Sequence, residues 1–223
     1  DFPMQWDFGT PEGIVWKTGI PLPGHSSPIV WDGKVFVTGA DEKRCGVYCL
    51  DAATGEILWR KQVKTDSSGD TEPPEVMEDT GYAAPTMATD GRRVFAMFAN
   101  GDVAAFDFEG EQQWAKALGT HDSVYGHASS LLTYRNLVIM QFDQGYDAEQ
   151  GLSNLLALDT EDGEIVWRTS RPVPNSWASP ILIATGERDE VITCADPFVI
   201  SYDPATGKEL WRCAAIPDYI CPS

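Results

Sequence analysis

The sequence predicts an all-β fold, a β-propeller of four-stranded antiparallel blades, with four full repeats present. Three observations predict it. One phrase, an Asp turn followed by Gly and then Trp, recurs four times at a spacing of 44 to 55 residues. Short strand-forming runs precede each copy in the same order. The composition (8 Trp, 20 Gly and 15 Pro in 223 residues) suits short strands and tight turns better than helices.

The phrase occupies residues 50–59, 106–114, 158–167 and 202–211, and a headless copy ends at Trp16. Asp51, Asp107, Asp159 and Asp203 open the turns, because a carboxylate can accept backbone N–H groups two residues on. Gly55, Gly110, Gly163 and Gly207 supply the positive φ that other residues resist. Trp59, Trp114, Trp167 and Trp211 then sit on the following strand, where a flat indole covers the sheet beneath it.

Three further strands precede each phrase. In the first repeat they are 28–30, 35–37 and 47–50, in the second 85–87, 94–97 and 103–106. In the third they are 130–132, 137–140 and 155–158, and in the fourth 180–182, 191–193 and 199–202. Asp32-Gly33 and Asp90-Gly91 mark hairpin turns between the first two strands. Each repeat is therefore one antiparallel unit: 19–60, 61–116, 117–169 and 170–213. Residues 1–18 supply an outer strand that completes a blade, and 214–223 begin another. A single blade cannot bury both faces, whereas radial stacking buries each against a neighbour. A solenoid of sandwiches is the rival, and the constant Trp and four-strand count favour the propeller.

Asp51 to Trp59 and Asp203 to Trp211 carry Asp-x-x-Thr-Gly-x-x-x-Trp in full; Asp159 to Trp167 has Asp162 in place of Thr, and Asp107 to Trp114 is one residue short. These residues resemble the tryptophan-docking repeat of the pyrroloquinoline-quinone-like β-propellers, and the resemblance spans nearly the whole chain. The resemblance implies a ring of seven or eight blades, so the chain is expected to be the amino-terminal half of a longer ring. A four-bladed ring or an open arc that meets a partner is the alternative. That family includes quinoprotein alcohol dehydrogenases and cofactor-free scaffolds such as the lipoprotein of the outer-membrane β-barrel assembly machine. The chain resembles the scaffolds and secreted bacterial propellers more closely.

Charge narrows the partners. Sixteen Lys and Arg face 34 Asp and Glu, a net charge of -18, which disfavours nucleic acid and anionic lipid. No run approaches 18 apolar residues, so no direct membrane span is expected. An export leader is expected to have been removed or to lie outside these residues, giving a periplasmic or extracellular location.

The entrances to the first strands align at His25, Tyr82, His127, Trp177 and Tyr219. In a propeller these positions flank the central channel, where an aromatic and imidazole ring would stack on a flat ligand or grip a peptide; the alternative is a channel plug. No Cys-x-x-Cys or His-x-x-x-His spacing supports a metal at His25 and His127, and none is predicted. By resemblance, a dehydrogenase would hold quinone and calcium on the axis, with a Trp floor and a vicinal Cys pair. Trp177 imitates the floor and Asp143 or Asp147 offers oxygen, but no two Cys are adjacent. The acidic connector 64–81 and the insertion 142–151 widen two repeats, the first expected to be a solvated connector. Cys45 with Cys49, or Cys213 with Cys221, is a possible disulfide, while Cys194 is expected as a small buried hydrophobe.

The function expected is a non-catalytic, exported binding or scaffolding module that holds a protein, peptide or polysaccharide, with further blades in a longer chain. No catalytic residue and no cofactor are predicted. The alternative is a quinone-dependent dehydrogenase with calcium, its axial site completed by other blades; a sensor ectodomain is a third.

Overall fold

A computed structural model describes residues 13–65, 73–123 and 125–214. Among them, sixteen strands form four antiparallel sheets, each hydrogen-bonded in chain order. The first blade holds β1 (Ile29–Trp31), β2 (Lys34–Ala40), β3 (Cys45–Asp51) and β4 (Ile57–Gln62). The second holds β5 (Ala88–Thr89), β6 (Arg93–Met97), β7 (Asp102–Asp107) and β8 (Gln112–Ala117). The third holds β9 (Leu132–Tyr134), β10 (Leu137–Phe142), β11 (Asn154–Asp159) and β12 (Ile165–Ser170). The fourth holds β13 (Ile181–Ala184), β14 (Asp189–Ala195), β15 (Phe198–Tyr202) and β16 (Glu209–Ala214). A 3-10 turn at Ala148–Gln150, capped by Asp147, interrupts the third blade's inner hairpin.

The middle strands read as continuous apolar runs because both of their faces are covered. Side-chain alternation splits each run between two seams. From β6 and β7, Val94, Ala96, Ala104 and Phe106 pack with Phe36, Val47 and Cys49 of the first blade. The intervening Phe95, Met97, Val103 and Ala105 pack with Val138, Met140, Leu156 and Leu158 of the third. Ile139, Leu155 and Ala157 then meet Val191, Ile200 and Tyr202 of the fourth.

The repeated phrase builds the same local geometry in each blade. Asp51 Oδ1 accepts the N–H groups of Ala53 and Thr54, and Asp203 Oδ1 those of Ala205 and Thr206. A β-bulge follows at the same register, beside Cys49/Leu50, Ala105/Phe106, Ala157/Leu158 and Ser201/Tyr202. Past the bulge, Trp59, Trp114 and Trp167 each face the glycine turn of the next blade. A Cβ placed on Gly55, Gly110, Gly163 or Gly207 would stand 2.4–2.8 Å from the ring of Trp16, Trp59, Trp114 or Trp167 respectively. These four glycines, at φ of 68° to 87°, thus satisfy two demands at once, a left-handed turn and room for a neighbour's indole. The indole N–H of Trp16, Trp59 and Trp114 donates across the seam to the carbonyls of Ala52, Phe108 and Thr160. Trp211 instead donates to Glu190 Oε2 within its own blade and stays 39% exposed.

Several expectations are corrected. The first strand of the second repeat is β5 at 88–89 rather than 85–87, and that of the third is β9 at 132–134 rather than 130–132. The reason is that the entrance backbone bonds sideways between blades. Thr86 N–H donates to Ser130 Oγ, and Leu131 N–H to the Thr86 carbonyl. Cys45 and Cys49 are free thiols; four residues apart on one strand, they stand about 13 Å apart, beyond disulfide reach. Cys194 is half-buried rather than buried, because its face of β14 is the uncovered side of the fourth blade. Tyr219, Cys221, residues 1–12 and 214–223 beyond Ala214, and Asp66, Asp70 and Glu72 of the acidic connector lie outside the described residues.

Candidate functional site

In a four-stranded antiparallel blade, the Asp-Gly turns and the β1–β2-type turns fall at one end. The inner hairpins and the connectors between blades fall at the other, and every predicted ligand residue within the described chain lies at that second end. Lateral hydrogen bonds fix the entrances there. His25 N–H and Ser26 N–H both donate to the Ala83 carbonyl, and Ser129 Oγ donates to the Ala178 carbonyl at 2.6 Å.

His25 and Tyr82 come together in a cleft between the first two blades, of about 900 Å³, with Val76, Met77 and the 41–44 hairpin as walls. A second cleft of about 780 Å³ shares Tyr82 and the same hairpin and runs on to Asn100 and Asp102. His25 is exposed, Tyr82 half-buried, and Met77 is 47% exposed. Burial and the Glu42 carboxylate push the Tyr82 phenol upward. Burial also raises the Asp102 carboxyl, while hydrogen bonds from Asn100 and Thr65 oppose that rise. Asp41 is held below the usual carboxylate range by its hydrogen bond from Arg44. Burial and the Asp102 and Asp41 carboxylates push the Cys45 thiol up to about 12, so it is not a nucleophile. The cleft therefore offers an aromatic and thioether surface beneath a rim of both charges. It suits an apolar side chain on an extended polar backbone.

His127 and Trp177 stand apart from that cleft. His127 is 1% exposed and meets His121 with ring centroids 4.9 Å apart; both rings contact Phe142. Trp177 is buried and stands edge-on to Tyr125 at 4.7 Å. The predicted residues thus divide into a cleft pair, a buried imidazole and a buried indole.

Sequence reasoning missed a third centre. Arg171, just after β12, makes a bidentate pair with Asp143: Nε reaches Oδ1 at 2.7 Å and Nη2 reaches Oδ2 at 3.1 Å. Both side chains are fully buried. Gln141 and Ser176 also donate to Asp143 Oδ2, and Arg171 Nη1 donates to Thr193 Oγ1 and the Tyr202 hydroxyl. Burial raises the Asp143 carboxyl, with the guanidinium opposing. The only sequence signal was register. Thr193 stands where the other blades carry Val37, Ala96 and Met140, and Tyr202 stands where they carry Leu50, Phe106 and Leu158. Two polar groups on an otherwise apolar seam announce a buried partner.

Among the described residues no three of His, Cys, Asp and Glu converge as a metal cluster, and no helix is long and apolar enough to cross a membrane. The protein-family model described as outer membrane protein assembly factor BamB matches residues 10–127 and 151–218. No curated protein sequence matches the chain. The fold is similar to quinohemoprotein alcohol dehydrogenase from Comamonas testosteroni, with TM-score 0.61 and 19% identity over 88% of this chain and 35% of that one. It is also similar to BamB from Moraxella catarrhalis, with TM-score 0.59 and 20% identity over 90% of this chain and 55% of that one. A europium-containing methanol dehydrogenase gives TM-score 0.62 and 15% identity over 88% and 42%. The chain thus spans between about a third and just over half the length of these structures. With its repeat built as four blades and the family model matched over most of its length, the chain belongs to the BamB family of pyrroloquinoline-quinone-like β-propellers.

Proposed function

We propose that the chain is a non-catalytic binding module that grips an extended protein segment in the cleft between its first and second blades. The observation that carries this is the pair of clefts that share Tyr82 and the charged 41–44 hairpin, one reaching His25 and the other Asn100. The assembly-factor description of the family supports a protein partner over a polysaccharide, and its outer-membrane context supports an exported, periplasmic or extracellular location. Panning a display library of extended peptides against the purified chain tests it. Enriched peptides are expected to lose at least about tenfold in affinity against Tyr82→Ala, a 1.4 kcal/mol effect. Peptides that bind the variant equally well would overturn the cleft assignment.

The fold similarity to alcohol and methanol dehydrogenases favours a second reading, a quinone enzyme. What weighs against it is the state of the oxygen and indole groups such a site would use. Both Asp143 oxygens are engaged by Arg171, Asp147 caps the 3-10 turn, and Trp177 stands against Tyr125. These residues do not fit a calcium-bound quinone. Absorbance after adding calcium and the quinone, with alcohol-dependent dye reduction, decides between the two.

A further inference from the structure

The chain has only three histidines, and the fold brings two of them, His121 and His127, into contact in the connector between β8 and β9. They are 3% and 1% exposed, and Phe142 walls both rings. A tight turn holds them, with Ser123 N–H donating to the His121 carbonyl and Gly126 N–H to the Ser123 carbonyl. Buried polar atoms normally find a partner. Here His121 Nδ1 and Nε2, Ser123 Oγ and His127 Nε2 make no hydrogen bond to any described residue. Four orphaned atoms within seven residues need a common explanation.

We propose that His121 and His127 together ligate one borderline divalent transition-metal ion of the Zn²⁺ class, a site separate from the binding cleft. The ring spacing agrees. With metal–nitrogen bonds of about 2.0–2.1 Å and a near-tetrahedral angle, two imidazoles on one ion have centroids about 5 Å apart; these stand at 4.9 Å.

The test uses the purified chain, stripped with a chelator and titrated with Co²⁺ and Zn²⁺. One equivalent of Zn²⁺ is expected to survive dialysis, and none in His121→Phe or His127→Phe, whose rings suit the apolar wall. Should either variant fail to fold, the wild-type chain still decides by NMR. Co²⁺ must broaden the ring protons of two histidines and leave the third, His25, sharp. Absent stoichiometric binding, retention of the ion by both folded variants, or broadening at His25 alone would each overturn the site.

Discussion

Trp114→Ala is the sharpest probe of the seams. The indole is 7% exposed, lies against Gly163 of the next blade, and packs on Phe95 at 6.0 Å. Its N–H donates to the carbonyl of Thr160, a residue only 2% exposed. Truncation opens a cavity between two packed sheets and leaves that carbonyl without its donor, so a loss of about 3–5 kcal/mol is expected. Trp211→Ala is the matched control. Its ring is 39% exposed, and it forfeits one bond to Glu190 and part of its burial, which sums to about 1–2 kcal/mol. Urea denaturation followed by circular dichroism measures both. At about 2–4 °C per kcal/mol for a chain of this size, Trp114→Ala should melt roughly 10 °C below the parent. Equal losses in the two variants, or a loss below about 1 kcal/mol for Trp114→Ala, would refute the claim that the indole holds adjacent blades together.

Two glycines at similar φ separate strain from crowding. Gly33→Ala, at φ 71° with open space around it, should cost about 1 kcal/mol, whereas Gly207→Ala, at φ 68° with a Cβ 2.4 Å from the Trp167 ring, should cost at least about 2 kcal/mol more by thermal melt. Arg171→Met strands the buried Asp143 carboxylate and should cost about 3–5 kcal/mol, while adding Asp143→Leu should recover most of it; a double variant no better than the single would refute the pairing. Hydrogen bonds from Ser201 and Arg188, with Trp211 adding to them, hold the Glu190 carboxyl down to about 2, below its ordinary 4.5. Because the folded value is the lower one, its stabilising effect is complete above about pH 4.5 and disappears as pH falls toward 2. Glu190→Gln should therefore flatten the acid limb of a stability-versus-pH curve.

The blades were legible because their determinants are local. An Asp that caps its own turn and a Gly three or four residues on leave a mark at every repeat, as at Asp51 and Gly55. Strand alternation made the seams foreseeable, since Phe95 and Val94 must face opposite neighbours. The entrances were misplaced because Pro85 and Thr86 look like a strand, yet their backbone bonds to the next blade. The lateral ladder that decides this joins residues 44 or more positions apart, which no local pattern records. The same distance hid Arg171, whose partners Asp143 and Tyr202 lie 28 and 31 residues away in different loops and strands. His121 was missed because it lies early in the third repeat, ahead of the aligned entrance at His127, where no repeated position drew attention to it.

That contrast has a structural cause with a consequence for binding. The Asp-Gly end of every blade is committed to the seams, since each turn both closes a hairpin and seats the preceding blade's indole. Variation there disrupts assembly, so its residues repeat. At the opposite end the inner hairpins and connectors are tied between blades largely through backbone groups, as from His25 and Ser26 to Ala83, which leaves side chains freer to differ, and all three centres lie on it: the cleft at Tyr82, the imidazoles at His121 and His127, and the pair Asp143–Arg171. A partner that reads the differences between blades must therefore approach from this end. Charge-reversing substitutions at exposed Asp-Gly-end residues such as Glu56 and Glu161 should leave peptide affinity unchanged, whereas Glu42→Lys on the cleft rim should alter it and its salt dependence. An affinity sensitive to Glu56 and Glu161 but indifferent to Glu42 would place the partner on the wrong end for this argument.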